Sequence, residues 1–184
     1  EEDKNVMPRE MVQFVNGQTN VRALTRMGGT LQLLRAFISS GFPVIVSIGY
    51  ASEGEDWLGH YRAVIGYDDF AQNFYAYDSY LGTGEDGRGL VVPYDELDST
   101  WQNFNRNFIV LYEQGDEGRV ASILGERVDV MRAAELALET AQRETQLDPR
   151  NGFAWFNQGT ALVALNRYDD AALAYDMARQ HALP

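Results

Sequence analysis

A chain of 184 residues with 45% apolar content is long enough to bury a core, and its formal charge of −12 opposes phosphate backbones and anionic lipid heads, so nucleic acid is not an expected partner. Cysteine is absent, which removes disulfides, thiolate metal sites and a thiol nucleophile from these residues. No window approaches about eighteen consecutive apolar residues, and "EEDKNVMPRE" is not a basic stretch followed by an apolar one, so no spanning segment or signal is expected here and any targeting information is expected upstream of Glu1.

In chain order, "NVRALTR" (20–26) reads as a short strand. "GGTLQLLRAFISSGF" predicts a helix, with Thr30 as N-cap, Leu31, Leu34, Phe37 and Ile38 on one face, and Gly41 at the C′ position. "PVIVSIGY" (43–50) has the continuous apolar character of a buried strand. "HYRAVIGYDD" (60–69) and "NFYAYDS" (73–79) predict two strands joined by a short polar turn, a hairpin. A Gly-rich loop (82–89), a brief strand at "LVV", a short helix through "PYDELDSTW" and a last strand "NFIVLY" complete this part. Antiparallel strands with an inserted helix make the expected class α+β.

Composition changes near "EQGDEG" (113–118), and Ala, Leu, Glu and Arg dominate beyond it, so the expected domains are 1–115, mixed, and 116–184, helical. The helical part repeats: Gly125 and Gly159, like Ala137 and Ala171, stand 34 residues apart, the tetratricopeptide period. The second copy, with Trp155, Gly159, Leu162, Ala171, Tyr175 and Ala178, resembles the tetratricopeptide (TPR) pattern closely; the first is degenerate, with Ala141 in place of an aromatic. Such arrays bury a continuous core with about three units, so this one is expected to continue past Pro184 or to dock on the first domain. Its concave surface suits a protein or peptide partner, with Asn157 and Asn166 as candidate contacts.

One constellation carries chemistry. With a hairpin turn centred near Asp69, His60 falls directly opposite Asp78, on the same face, close enough for the carboxylate to take a hydrogen bond from the imidazole. That is the orienting arrangement of a nucleophile-base-acid triad. The competing reading makes His60 an edge residue and Asp78 the start of the turn "DSYLG"; Asp68 and Asp69 read as turn residues. A metal site lacks ligands at suitable spacing, and no metal or other cofactor is expected.

The succession "GFPVIVSIGY", "WLGHYRAVIGYDD", "FYAYDSYLG", "VPYDELDSTW", "FIVLY" resembles the second half of the papain-like cysteine peptidases of the bacterial bacteriocin-leader-processing type, over residues 4–112 and most specifically over 41–80. It is similar to a subgroup joined to tetratricopeptide repeats. The resemblance implies that His60 is the general base and Asp78 its orienter. It also implies a Cys opening an upstream helix, whose dipole lowers the thiol pKa, and a Gln before it as oxyanion donor; neither is in these residues, and 1–15 resemble the stretch just C-terminal to that helix. Ser47, in an apolar run, and Ser79, pointing away from the Asp78 face, are poor replacements. Trp57, Tyr61 and Tyr80 are candidate substrate-binding aromatics for small residues before the scissile bond, while Trp101 reads as core.

The expected function is therefore the His/Asp portion of a peptidase-like protein with repeats for protein binding, not competent as given; the alternative is a non-catalytic protein- or peptide-binding module on a degenerate peptidase fold. By the same resemblance the location is extracytoplasmic.

Overall fold

The computed structural model describes residues 6–50 and 57–181. The elements are α1 (Pro8–Gln18), β1 (Val21–Arg26), α2 (Leu31–Ser39), β2 (Val44–Tyr50), β3 (Leu58–Asp68), β4 (Asn73–Asp78), β5 (Leu90–Pro93), α3 (Tyr94–Gln102), β6 (Phe108–Glu113), α4 (Glu117–Leu124), a 3₁₀ turn (Gly125–Val128), α5 (Val130–Leu147), α6 (Gly152–Ala164) and α7 (Tyr168–Gln180). All six strands join one antiparallel sheet in the order β1-β6-β2-β3-β4-β5. The strand last in sequence thus lies between the first two.

The predicted caps of α2 are present: Leu33 N–H donates to Thr30 Oγ1 at 3.1 Å, and Gly41 takes φ +85° beyond the helix end. Helix α1 is an addition to the sequence reading. Its apolar stripe, Pro8, Met11, Val12 and Val15, is only half-buried, and no residue of the helix is fully buried. It is started by Pro8 and by Glu10, whose carboxylate accepts from Met7 N–H at 2.7 Å, and it is tied down by Asn16, whose amide exchanges two hydrogen bonds with the Ala23 backbone.

The core lies on one face of the sheet, where Val44, Val46, Ile48, Val64, Phe74, Ala76, Phe108 and Val110 meet Leu34 and Phe37 of α2 and Leu97 and Trp101 of α3. Trp101 is a core residue, as its sequence context implied, and its indole N–H donates to Asn107 O at 2.6 Å. Gly29 lies flat against the indole, where a Cβ would overlap the ring.

The helical part begins inside that core. Val120 and Leu124 of α4 pack with the sheet residues, and Gly125, at φ +56°, stops the helix, so the helical part opens with a short helix and a 3₁₀ turn. Helices α5, α6 and α7 then bury a small Ala- and Leu-rich core of Ala137, Leu138, Ala161, Leu162, Ala171 and Ala174. Tyr175 fills the space over Gly159 where any Cβ would stand.

This helical unit docks on the loop after α3. Asn157, read from sequence as a peptide contact, is instead 1% exposed: its amide donates to Gln102 O at 2.6 Å, while Asn105 Nδ2 donates to Asn157 O and Thr160 Oγ1 at 3.1 Å each. Arg106 bridges Asp98 and Glu144 across the junction at 2.7 and 2.8 Å. Asn166 is an exposed turn residue at φ +59°. Among the described residues no helix is long and apolar enough to cross a membrane.

Candidate active site

His60 lies near the start of β3, with Arg62 and Val64 following it on the core face. Its cross-strand neighbour on β2 is Ile48. Asp78 ends β4 on the same face as Phe74 and Ala76. The two side chains meet: His60 Nε2 stands 2.9 Å from Asp78 Oδ1, and both residues are buried.

The register differs from the sequence expectation. Asp78 stands directly opposite Arg62, and His60 is its diagonal neighbour. The turn spans 69–72, farther along the chain than a centre at Asp69, and one extra residue, Ile65, is inserted between the pairs Val64↔Ala76 and Gly66↔Tyr75. The bulge decides the chemistry. Continuing the register of the turn end (Asp68↔Asn73, Gly66↔Tyr75) without it would put Asp78 opposite Ala63, on the face away from His60; one added residue restores the parity. A diagonal separation of about 7–8 Å between backbones is still spanned by two side chains of this size.

Asp78 also makes the turn that competed for it in the sequence reading. Its Oδ1 accepts from the backbone N–H of Tyr80 at 2.8 Å and of Leu81 at 3.0 Å, and its backbone pairs with Gly82, at φ +88°. The other oxygen, Oδ2, accepts from Arg62 Nε at 2.8 Å, and Arg62 Nη1 stands 3.6 Å from Glu96 Oε1 of α3. Arg62 is the site residue the sequence reading passed over. Its signal was a cation in the buried phase of a strand, between His60 and Val64.

Burial pushes the Asp78 carboxyl up, but hydrogen bonds from Arg62, from the Leu81 and Tyr80 amides and from His60 outweigh it and hold the group at about 2, below the ordinary 3.8. A depressed carboxyl pKa gives stability that is complete above the unfolded value and lost as pH falls through the folded one. Between pH 5 and 1 the chain is therefore expected to lose about 2 kcal/mol through this group alone. Urea unfolding of wild type and Asp78→Asn across that range checks it, since the variant's curve lacks this component.

A carboxylate only accepts, so the hydrogen bond places a proton on His60 Nε2, and in the neutral ring the basic lone pair is on Nδ1. The aromatics predicted around the site divide. Tyr80 is beside it, 5.2 Å from the imidazole between ring centroids and largely exposed. Tyr61 shares the opposite sheet face with its cross-strand neighbour Ser47, and its hydroxyl donates to Val6 O at 2.7 Å. Trp57 is half-buried and held between Phe104 (5.8 Å) and Phe153 of α6 (5.9 Å), at the helical junction; the rest of its loop, 51–56, lies outside the described residues. Ser79 is exposed, and Ser47 is buried with Oγ 3.4 Å from Asn107 Oδ1. Asp68 caps its turn by accepting from Phe70 and Ala71 N–H, and Asp69 pairs with Arg35 and Tyr94.

A helix-flanked antiparallel sheet of this kind, with the matching stretch of sequence, defines a peptidase-like domain of the papain class. The chain belongs to the Peptidase_C39 like family, whose model matches residues 4–109. Among solved structures it is similar to a protein described as a C39-like peptidase from Bacillus anthracis, at 18% identity over 50% of this chain and 52% of that one, with a TM-score of 0.39. The chain thus spans about half the length of that relative. No curated protein matches it.

Proposed function

We propose that these residues form the base-bearing portion of a papain-type peptidase-like protein, in which His60 is the general base through Nδ1 and Asp78 its orienter. The observation that supports this reading most is the buried 2.9 Å contact between His60 Nε2 and Asp78 Oδ1. It fixes the tautomer and keeps an anion against the ring as a proton is taken up, the task of the third member of a triad. Tyr80 lies beside the imidazole, where it would line the substrate side, whereas Tyr61 on the opposite sheet face and Trp57 at the helical junction would meet a substrate only away from the ring. The nucleophile in this reading is a Cys outside the 184 residues, which contain none and are therefore inactive by themselves. Helices α5–α7 serve as TPR-like repeats that recruit a protein or peptide, and no cofactor takes part.

The test uses the complete gene product. If it supplies a cysteine, that residue is expected to react with an iodoacetamide-type probe near neutral pH, and His60→Ala is expected to slow the labelling by about 10²-fold or more. Labelling at an unchanged rate removes His60 as base; a product with no reactive cysteine leaves a peptide-binding module on the same fold.

A further inference from the structure

Arg62 is charged, buried and unused by the base-and-orienter pair. Its place in the strand is a core position, like that of Val64, where an aliphatic residue would pack without desolvation cost. Its geometry is specific. Nε, the nitrogen within the planar fork, meets Asp78 Oδ2 at 2.8 Å, while Nη1 faces Glu96 at 3.6 Å. The carboxylate is consequently held at both ends: Oδ2 by Arg62, and Oδ1 by the ring and the two turn amides. A carboxylate held at one oxygen alone keeps freedom to swing its second oxygen about the broad terminal torsion and so to tilt away from the ring. Held at two, it does not.

We infer that Arg62 is a positioning residue of this site, locking the plane of the Asp78 carboxylate so that Oδ1 fixes the His60 ring with its proton on Nε2 and its lone pair on Nδ1. The inference rests on the reading of Asp78 as orienter. Among the described residues, the titratable and charged groups facing the carboxylate are His60 and Arg62 from β3, with Tyr80 beside the ring and Glu96 of α3 reaching it through Arg62.

The experiment is nitrogen and carbon NMR on the whole chain, in which His181 is the sole other histidine. Wild type is expected to show His60 almost wholly as the Nε2–H tautomer. Arg62→Met is expected to raise the Asp78 midpoint by about one to two pH units and, because the unlocked carboxylate swings out of line with the ring and loses its hydrogen bond to Nε2 part of the time, to give a mixture of tautomers. Arg62→Lys keeps the charge without the rigid fork, and is expected to restore the midpoint while the tautomers stay mixed. A folded Arg62→Met with wild-type tautomer and midpoint overturns the inference. Where Met is not tolerated, a wild-type tautomer ratio in Arg62→Lys overturns it. Wild type alone supplies a further check: the Arg62 Nε–H resonance is expected to titrate with Asp78, and a resonance that tracks another group refutes the lock. A role in packing alone would lower stability and leave tautomer and midpoint in place. Failure of the cysteine-labelling test would sink the base assignment without touching these signals, so the two outcomes separate.

Discussion

Asp78→Ala is expected to lower the unfolding free energy by about 3–5 kcal/mol, an effect usually reserved for large core truncations, although it removes only a small side chain. The substitution deletes the acceptor of four hydrogen bonds at once, from His60, Arg62, Tyr80 and Leu81. The greater part of the cost is the cation left behind. Arg62 is 7% exposed, and with Asp78 gone it faces only Glu96, at a distance too long for a direct hydrogen bond. The Asp78 side chain itself has no exposure, so solvent screening does not discount the loss. Replacing both partners, as Arg62→Met with Asp78→Leu, is expected to cost less than Asp78→Ala alone, because no unpaired charge remains in the double variant. Urea unfolding of the single and double variants, extrapolated to water, checks the order. A loss below about 1 kcal/mol for Asp78→Ala would mean that water reaches Arg62 and that the network is not closed.

Elements were legible where local chemistry and periodicity agreed. Thr30 and Gly41 marked the ends of α2, and the apolar runs marked β2, β6 and both strands of the hairpin. Register was not legible, because it depends on where a turn closes and on an extra residue with no distinctive side chain. Turn residues Asp68 and Asp69 invited a centre near 69, but Gln72, a residue with no strong turn signature, adopts φ +55° and extends the turn by one. Ile65 then bulges. The trace was present in the sequence as a broken alternation: His60, Arg62 and Val64 keep period two, and the next core-packed position is Tyr67, not Gly66. The expected pairing was wrong by two residues, an even number, which is why His60 and Asp78 still share a face. Arg62 escaped notice because charge on a strand usually signals the solvent side, and only its phase with Val64 argued otherwise. Asn157 was given the wrong role because a helical motif read in isolation takes its polar positions as solvent-facing, whereas this one meets the loop after α3.

Composition and packing also part company at the junction, and this leads to the second large effect. The compositional change near 113–118 invites a cut there, yet α4 sends Val120 and Leu124 into the core of the sheet, where they are 1% and 3% exposed. The 3₁₀ turn after it adds polar ties, with Arg127 donating to Gly28 O at 2.9 Å and Arg26 donating to the carbonyls of Arg127 and Val128 at 2.8 Å each. A chain ending at Gly118 forfeits all of these, while one ending at Asp129 retains them and loses only α5–α7. Burial of a Val or Leu side chain is worth about 1.5–3 kcal/mol, so the shorter chain is expected to be less stable than the longer by about 3–6 kcal/mol, with the same sheet as its folded state. Urea midpoints followed by the fluorescence of Trp101, a core residue common to both, measure the difference. Equal midpoints would show that α4 belongs energetically to the helical unit, as its composition implies. The expected gap instead places the boundary after the 3₁₀ turn, at the point where Asp129 caps α5 by accepting from Arg132 N–H at 2.9 Å and the next buried side chains, with Met27 packed against them, form the helical core.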